Sequence, residues 1–447
     1  MNSYEFINDP RVKEAKKLLL EAVREQQEKI TGIRLPDPAL EKEYEEIIER
    51  FSQNRGGPLW FPFIGAGIGK GPFVQLLDGS IKYDFISGIG VHHFGHSHPK
   101  IIESSIDAAI SDTVMQGHLQ QNIDQVELIE LLVKESGLDH CFLSTTGAMA
   151  NENGLKIALQ KNFPANRVLA FERAFCGRTW AMAQITEKND VREGLPVNLA
   201  VDYIPFYDHN HPEKSITLAV AALKKYLKRY PKSHAAMICE LIQGEGGFYP
   251  GSREFFTEIM TILKEHEIAV IIDEVQTFGR TSRLFAFQHY ALEEYADIVT
   301  IGKLSQVCAT LYKTDYKPRP GLLSQTFTSS TQAIHAAKSI IRLMIEEGFF
   351  GKNGKNNQVH RQFVKRFEEI RNISGPYGLG AMVAFTPLNG DAKKVKAFVD
   401  RLYHAGVLSF ICGKEPTRTR FLVPVGAVSN LDIDNVCTIV EEMLQCS

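Results

Sequence analysis

The sequence predicts an α/β protein, with a large domain built on a mainly parallel central sheet and a smaller α+β domain. Three observations carry this expectation. Between about residues 100 and 315, short apolar runs alternate with helical stretches, which is the pattern of βαβ units. The runs 269–273 and 297–303 end on Asp273 and Lys303, as buried parallel strands do when they surface at their C-terminal ends. From about residue 330 the pattern changes. A helix over 331–347 opens a stretch of shorter mixed elements, which a helix over about 432–444 closes.

The elements follow in chain order. Residues 10–31 and 38–54 carry apolar positions at helical spacing (Leu18, Leu19, Ala22, Val23; then Tyr44, Ile47, Ile48, Phe51) and read as two amphipathic helices that pack on the body or on a second subunit. Residues 55–80, rich in Gly, Pro and aromatics, read as a loop followed by a short hairpin around Asp78-Gly79. The runs 141–143, 167–171, 235–239, 268–272 and 298–301 read as strands. The expected division is 1–90 for the N-terminal helices and the segment joining the small domain, 91–328 for the large domain and 329–447 for the small one.

Composition narrows the function. The formal net charge of −3 gives no global basic field for nucleic acid or an anionic membrane, so an anionic ligand must be held by local groups. Seven scattered cysteines with no CxxC pair argue against a disulfide framework or a structural zinc site and suit a reducing compartment. The first residues lack a signal peptide's apolar stretch, and no run of eighteen apolar residues occurs. The expectation is a cytoplasmic enzyme without nucleic-acid or membrane partners.

Two motifs invite readings that fail. In Gly65-Ala-Gly-Ile-Gly-Lys-Gly71 the third glycine of a dinucleotide fingerprint falls on Lys70, and a phosphate loop needs Ser or Thr where Gly71 stands. A flexible or tight loop is expected there. His92, His93, His96 and His98 lack acidic or thiol partners at ligand spacing and read as a turn with polar packing, so no metal is expected.

Other residues point to chemistry. Asp273 and Lys303, both at strand ends, suit a site that holds a cationic heterocycle beside an amine nucleophile. Thr145-Thr146-Gly147-Ala148 lies between a strand and a helix, where backbone N–H groups and the helix dipole bind phosphate.

Together these pieces resemble the class III aminotransferases, the fold-type-I enzymes dependent on pyridoxal 5′-phosphate (PLP), from about residue 73 to 443. Phe73-Val-Gln-Leu-Leu-Asp-Gly79 and Tyr83-Asp-Phe-Ile-Ser-Gly88 look like that family's opening strands, and Gly95-His-Ser-His-Pro99 matches its GHxHP turn. Thr146-Gly-Ala-Met-Ala-Asn-Glu152 is similar to its phosphate loop, and Phe175-Cys-Gly-Arg-Thr179 to FHGRT. Glu240-Leu-Ile-Gln-Gly-Glu-Gly-Gly247 resembles EPIQGEGG, Asp273-Glu-Val-Gln276 is the DEVQ stretch, and Gly302-Lys303 the GK.

The resemblance implies a role for each residue. Lys303 would hold PLP as a Schiff base and carry the proton. Asp273 would pair with the pyridine nitrogen. Val275 and Phe175 would sandwich the ring, Gln276 would approach its hydroxyl, and Thr146, Gly147 and Ala148 would hold the phosphate. Thr326 aligns with the threonine that the family lends to a neighbour's phosphate site, which implies a homodimer or larger assembly with shared sites. Arg178 would grip a substrate carboxylate in a two-point contact. Glu245 and Arg420 match a gated ion pair that lets one site take an ω-amino donor and then 2-oxoglutarate.

Some residues depart from the family pattern: Cys176 for histidine, Leu241 for proline, a segment after Gln276 one residue shorter, and altered stretches at 304–308 and 328–331. The activity implied is a ping-pong transfer from a 4-aminobutyrate, N-acetylornithine, ornithine or lysine type of donor to 2-oxoglutarate. The alternatives are an aminomutase or decarboxylase on the same fold, or a non-catalytic PLP-binding homologue.

Overall fold

The computed structural model describes residues 3–445, so Cys446 lies outside the described residues. The chain divides into two compact units, one made of residues 1–110, 358–377 and 381–447 and the other of residues 111–357 and 378–380.

The second unit is built on seven strands: β1 (His140–Ser144), β2 (Arg167–Phe171), β3 (Ala200–Ile204), β4 (His234–Cys239), β5 (Ala269–Glu274), β6 (Ile298–Ile301) and β7 (Cys308–Tyr312). Their order across the sheet is β1-β7-β6-β5-β4-β2-β3. All neighbours from β6 to β3 pair in parallel, while β7 runs antiparallel to both β6 and β1, so six strands share one direction. Every residue of β4, β5, β6 and β7 is buried, which is why these strands read as continuous rather than alternating apolar runs.

The helices that cover the sheet have clear start signals. Helix α1 (Ile123–Ser136) opens on Asn122, whose side chain accepts from the Gln125 N–H, and closes on left-handed Gly137. Helix α2 (Gly147–Lys161) opens on Thr146, whose hydroxyl accepts from the Met149 N–H. Helix α3 (Pro212–Arg229) begins with proline in its first turn, and α4 (Arg253–Glu265) is capped by Ser252. Helix α5 (Thr331–Glu346) is capped by Ser330. Helix α2 lies over the sheet centre, its Leu155 and Ile157 in one core with Val168, Ile238, Ile271 and Ile298. Gly154 makes that approach possible: a Cβ there would stand 3.2 Å from Ile298 and 3.5 Å from Ile271.

The sequence-based boundaries differ from these units at residues 91–110, 329–357 and 378–380. Residues 329–357 cluster with the parallel sheet rather than with the C-terminal part, because α5 is tied to α1. Lys338 on α5 reaches Asp124 (2.7 Å) and Glu127 (2.5 Å) on α1, and His335 reaches Asp124 (3.0 Å). Residues 91–110 cluster with the N-terminal part. In that unit, Lys16 of the helix Pro10–Gln27 pairs with Asp107 (2.8 Å) on the helix Pro99–Ala109.

Two strands, β3 and β7, were not expected. β3 carries Asp202 in its middle, which breaks the apolar pattern. Arg167 grips that carboxylate at 2.8 and 2.7 Å, and His234 approaches it at 2.8 Å. β7 follows β6 after only six residues and forms an antiparallel hairpin with no helical crossover.

In the first unit, the stretch expected as a glycine loop is a strand, Gly65–Lys70, paired antiparallel with Phe73–Leu76. Its lack of side chains lets another chain segment lie against it: a Cβ on Gly69 would fall 2.4 Å from the His96 side chain, and the Gly69 N–H donates to Ser97 Oγ (3.1 Å). The Asp78-Gly79 hairpin forms, joining Phe73–Leu76 to Ile81–Asp84. The two N-terminal helices form at Pro10–Gln27 and Pro38–Arg55. The inner face of the first is set by Lys16 and Gln27, while Leu18 and Leu19 are exposed. No helix among the described residues is long and apolar enough to cross a membrane.

Candidate active site

The C-terminal ends of β5 and β6 and the start of α2 converge in the second unit. Asp273 stands opposite Thr300 in the β5–β6 register, and Lys303 follows the last residue of β6 by two positions. Buried parallel strands force their backbone polar groups into the ladder, so the first residues free to face a ligand are those at the strand ends.

Asp273 is buried, and each of its oxygens accepts one N–H. Val275 N donates to Oδ1 (2.9 Å) and Asn151 Nδ2 donates to Oδ2 (2.6 Å). Burial pushes the carboxyl up to about 6, while the two N–H donors and the nearby Lys303 charge pull it down. Lys303 is half-buried and opens a short 3₁₀ turn with a left-handed backbone, φ 54°. A side chain other than glycine stores about 1–3 kcal/mol in such a conformation, which the flanking central strands hold in place.

Val275 is packed between two glycines. A Cβ on Gly147 would meet Val275 Cγ1 at 2.6 Å, and one on Gly302 would meet it at 3.2 Å. Gln276 lies against Gly244, where a Cβ would fall 2.0 Å from its Oε1, and that buried oxygen has no hydrogen-bond partner. At the start of α2, Thr146, Gly147 and Ala148 are exposed or half-exposed. The Gly147 and Ala148 amides lie in the first turn and have no intrahelical acceptor.

Glu240, after β4, joins two further segments. Its carboxyl accepts from Phe175 N (3.0 Å) and from Gly244 N (2.9 Å). Burial, reinforced by the Asp273 charge, pushes it up to about 8 against those two donors. Phe175 thereby comes to the same strand ends, and Arg178 is exposed with its guanidinium 6.0 Å above the Phe175 ring. Glu245 is half-buried in the turn that Glu240 holds.

Asp273, Val275, Gln276, Lys303, Gly147 and Ala148 therefore share one neighbourhood, with Phe175, Arg178 and Glu245 tied to it through Glu240. Thr326 does not belong to this cluster. It is exposed, and its carbonyl packs on Gly117, where a Cβ would fall 1.8 Å away. Arg420 belongs to the other compact unit, fully buried on the strand Arg418–Leu422, with its guanidinium 5.6 Å from the Phe410 ring centre. Glu240, Asn151 and Thr300 were not singled out from sequence. Their signal was a polar residue on a face that otherwise packs against apolar strands.

The donor set suits PLP. A half-buried ammonium stands near a buried carboxylate, an open helix N-terminus suits a phosphate, and an unmet buried acceptor on Gln276 suits a ring hydroxyl. Fold and site thus define a PLP-dependent α/β transferase. The family model for class III aminotransferases matches residues 62–444, and the chain belongs to that family. Its members are PLP-dependent transaminases that take small-molecule amino donors and keto acids.

Among its relatives, the acetylornithine aminotransferase of Archaeoglobus fulgidus is 30% identical over 378 residues, covering 83% of this chain and 93% of that protein. That of Bacillus anthracis is 29% identical over 386 residues, covering 84% and 94%. Among solved structures, an aminotransferase from Bacillus anthracis has a TM-score of 0.81 at 19% identity, over 91% of this chain and 99% of that one. The lysine aminotransferase of M. tuberculosis has a TM-score of 0.79 at 21% identity, over 89% and 99%. These two structures share the fold.

Proposed function

We propose that this transaminase takes the amino group of an ω-amino donor and passes it to 2-oxoglutarate in a ping-pong cycle, with the N-acetylornithine type of donor first among the candidates. The observation that carries the reading is the pairing of Asp273 and Lys303 on adjacent parallel strands beside the open N-terminus of α2. The curated relatives support the donor, since both carry the name acetylornithine aminotransferase.

Bound PLP supplies an electrophilic carbonyl and a protonated ring that takes up electrons as the donor's C–H bond breaks. Lys303 contributes the amine that holds the cofactor and then moves the proton at the reacting carbon. Asp273, with one N–H on each oxygen, keeps outward lone pairs for a ring N–H. Val275 and Phe175 would flank the ring, Gln276 would meet its hydroxyl, and the Gly147 and Ala148 amides with the Thr146 hydroxyl would hold its phosphate. Arg178 offers a planar, exposed guanidinium for a donor carboxylate. Glu245, in the turn that Glu240 holds, offers an acidic side chain beside the same strand ends.

A second copy of the chain completes the site through Thr326. In support, the segments around Thr326 and Gly117 expose the apolar side chains of Phe327 (56%), Val114 (79%) and Leu119 (97%).

The test is the visible absorbance of the PLP-loaded protein before and after L-glutamate. Conversion of the bound cofactor to its amine form supports transfer to 2-oxoglutarate. A band that glutamate leaves unchanged overturns it. N-acetylornithine, 4-aminobutyrate, ornithine and lysine then compete as donors in the reverse half-reaction.

A further inference from the structure

We infer that Asn151, braced by Thr300, is a positioning residue that holds Asp273 as an ionised acceptor and couples it to the Phe175 segment. The inference rests on the reading of Asp273 as the partner of the ring nitrogen.

An isolated asparagine amide can face either way round, but this one cannot. Thr300 Oγ1 donates to Asn151 Oδ1 at 2.6 Å. A hydroxyl could serve either end of the amide, but the Cys176 carbonyl only accepts, so the end facing it must be Nδ2, and Oδ1 is left towards β6 to take the Thr300 hydroxyl. Nδ2 then donates twice, to Asp273 Oδ2 at 2.6 Å and to the Cys176 carbonyl at 2.8 Å. Asn151 and Thr300 are both essentially inaccessible, at 1% and 0% exposure, so no water competes for these bonds.

The chain of donors has one direction: Thr300 hydroxyl to Asn151 carbonyl, Asn151 amide to Asp273 carboxylate. A protonated Asp273 would have to aim its O–H away from both N–H donors, so the arrangement favours the charged form against a burial that disfavours it. The second bond of Nδ2 fastens the backbone just after Phe175, so one amide group sets both the ring-nitrogen partner and the segment that carries an aromatic flank.

The titratable groups around Asp273 are Lys303 beyond β6, Glu240 and Cys239 at the end of β4, Glu274 next in the chain, Cys176 on the Phe175 segment and Cys308 on β7. Lys303 is the cation in this set. The neutral donors Asn151 and Val275 therefore carry the rest of the stabilisation of the carboxylate.

The experiment measures binding of pyridoxamine 5′-phosphate to apo-protein by equilibrium dialysis between pH 5 and 9. This probe shares the ring and phosphate but forms no covalent bond with Lys303. Asn151→Asp is nearly isosteric and replaces a donor with a second carboxyl. Thr300→Val leaves Asn151 Oδ1 buried without its donor and so loosens the amide's hold on Asp273, and Thr300→Ser keeps the hydroxyl. The expected result is that Asn151→Asp and Thr300→Val weaken binding at pH 7 by about tenfold or more, as loss of a hydrogen bond to a charged group does. Both should also move the acid limb of binding up by about one pH unit. Thr300→Ser restores the wild-type profile.

An acid limb that stays at the wild-type pH in both variants, each folded by circular dichroism, overturns the inference whatever happens to the melting temperature. Asp273→Asn separates the two levels. A profile identical to wild type in that variant overturns the reading of Asp273, and this inference with it. A changed profile in Asp273→Asn with unchanged limbs in the other two overturns the inference alone.

Discussion

At the scale of single residues, the site is a group of carboxyls held out of water. Glu240 and Glu274 are both pushed up to about 8 by burial, and each accepts two backbone N–H groups, those on Glu274 coming from Ala286 and Phe287. The unfolded chain releases these protons near 4.5 and the folded chain near 8. Their contribution to stability is therefore full below about 4.5 and is lost as pH rises through 8. Apo-protein should denature at lower urea concentration at pH 9 than at pH 6, by a few kcal/mol in order of magnitude. Glu240→Gln should flatten part of that slope, and urea titrations at the two pH values check both statements. A steric prediction belongs at the same scale. In Gly147→Ala the new methyl would collide with the branched end of Val275, 2.6 Å away, with little room for Val275 to retreat. The expected outcome is a loss of cofactor affinity of more than about tenfold with a smaller loss of thermal stability, since the clash lies at the ring's flank. Dialysis and a melting curve separate the two. Lys303→Ala should abolish turnover while leaving the circular dichroism spectrum unchanged.

At the scale of elements, the clearest strands in the sequence were those buried on both faces, β2, β4, β5 and β6, because uninterrupted Val, Ile and Ala leave no other reading. β3 was hidden because Asp202 interrupts it, and the partners that satisfy this carboxylate, Arg167 and His234, are 35 and 32 residues away along the chain. β7 was hidden because the expected helical crossover is missing. The glycine stretch 65–71 was misread for the same kind of reason: its pairing partners set its conformation, and its own residues do not. Lys303 and Asp273 were legible because strand ends have a location rule, whereas Asn151 and Thr300 were not, since their meaning lies in a contact 149 residues apart. The α1–α5 tie yields a prediction. Asp124 sits at about 2 because the His335 and Lys338 contacts outweigh the effect of burial. Its stabilisation is present above the ordinary carboxylate value and is lost as pH falls towards 2. Lys338→Met leaves Asp124 and Glu127 without their shared cation and should cost about 3 kcal/mol at pH 7, with a smaller penalty near pH 3. Chemical denaturation at both pH values checks the sign.

At the scale of the whole molecule, the exposed Val114, Leu119 and Phe327 beside Thr326 go with the proposed association of two chains. Leu119→Asp should shift the protein towards monomer in sedimentation and lower its cofactor affinity, if Thr326 acts across the interface. The exposed Leu18 and Leu19 of the first long helix extend the question to the N-terminus. A truncation lacking residues 1–55 is expected to weaken the dimer, and a fully active, fully dimeric truncation would exclude that role. The β6–β7 hairpin has a consequence in time as well as in space. Lys303 rides on the turn between two central strands whose amides are locked in ladders with β5 and β1. Releasing that turn requires the middle of the sheet to separate, which makes its opening a global event rather than a local one. The backbone amides of Ala309 to Leu311 should therefore be among the last to exchange with deuterium, and the clock for losing the nucleophile's position should be the clock for unfolding the domain.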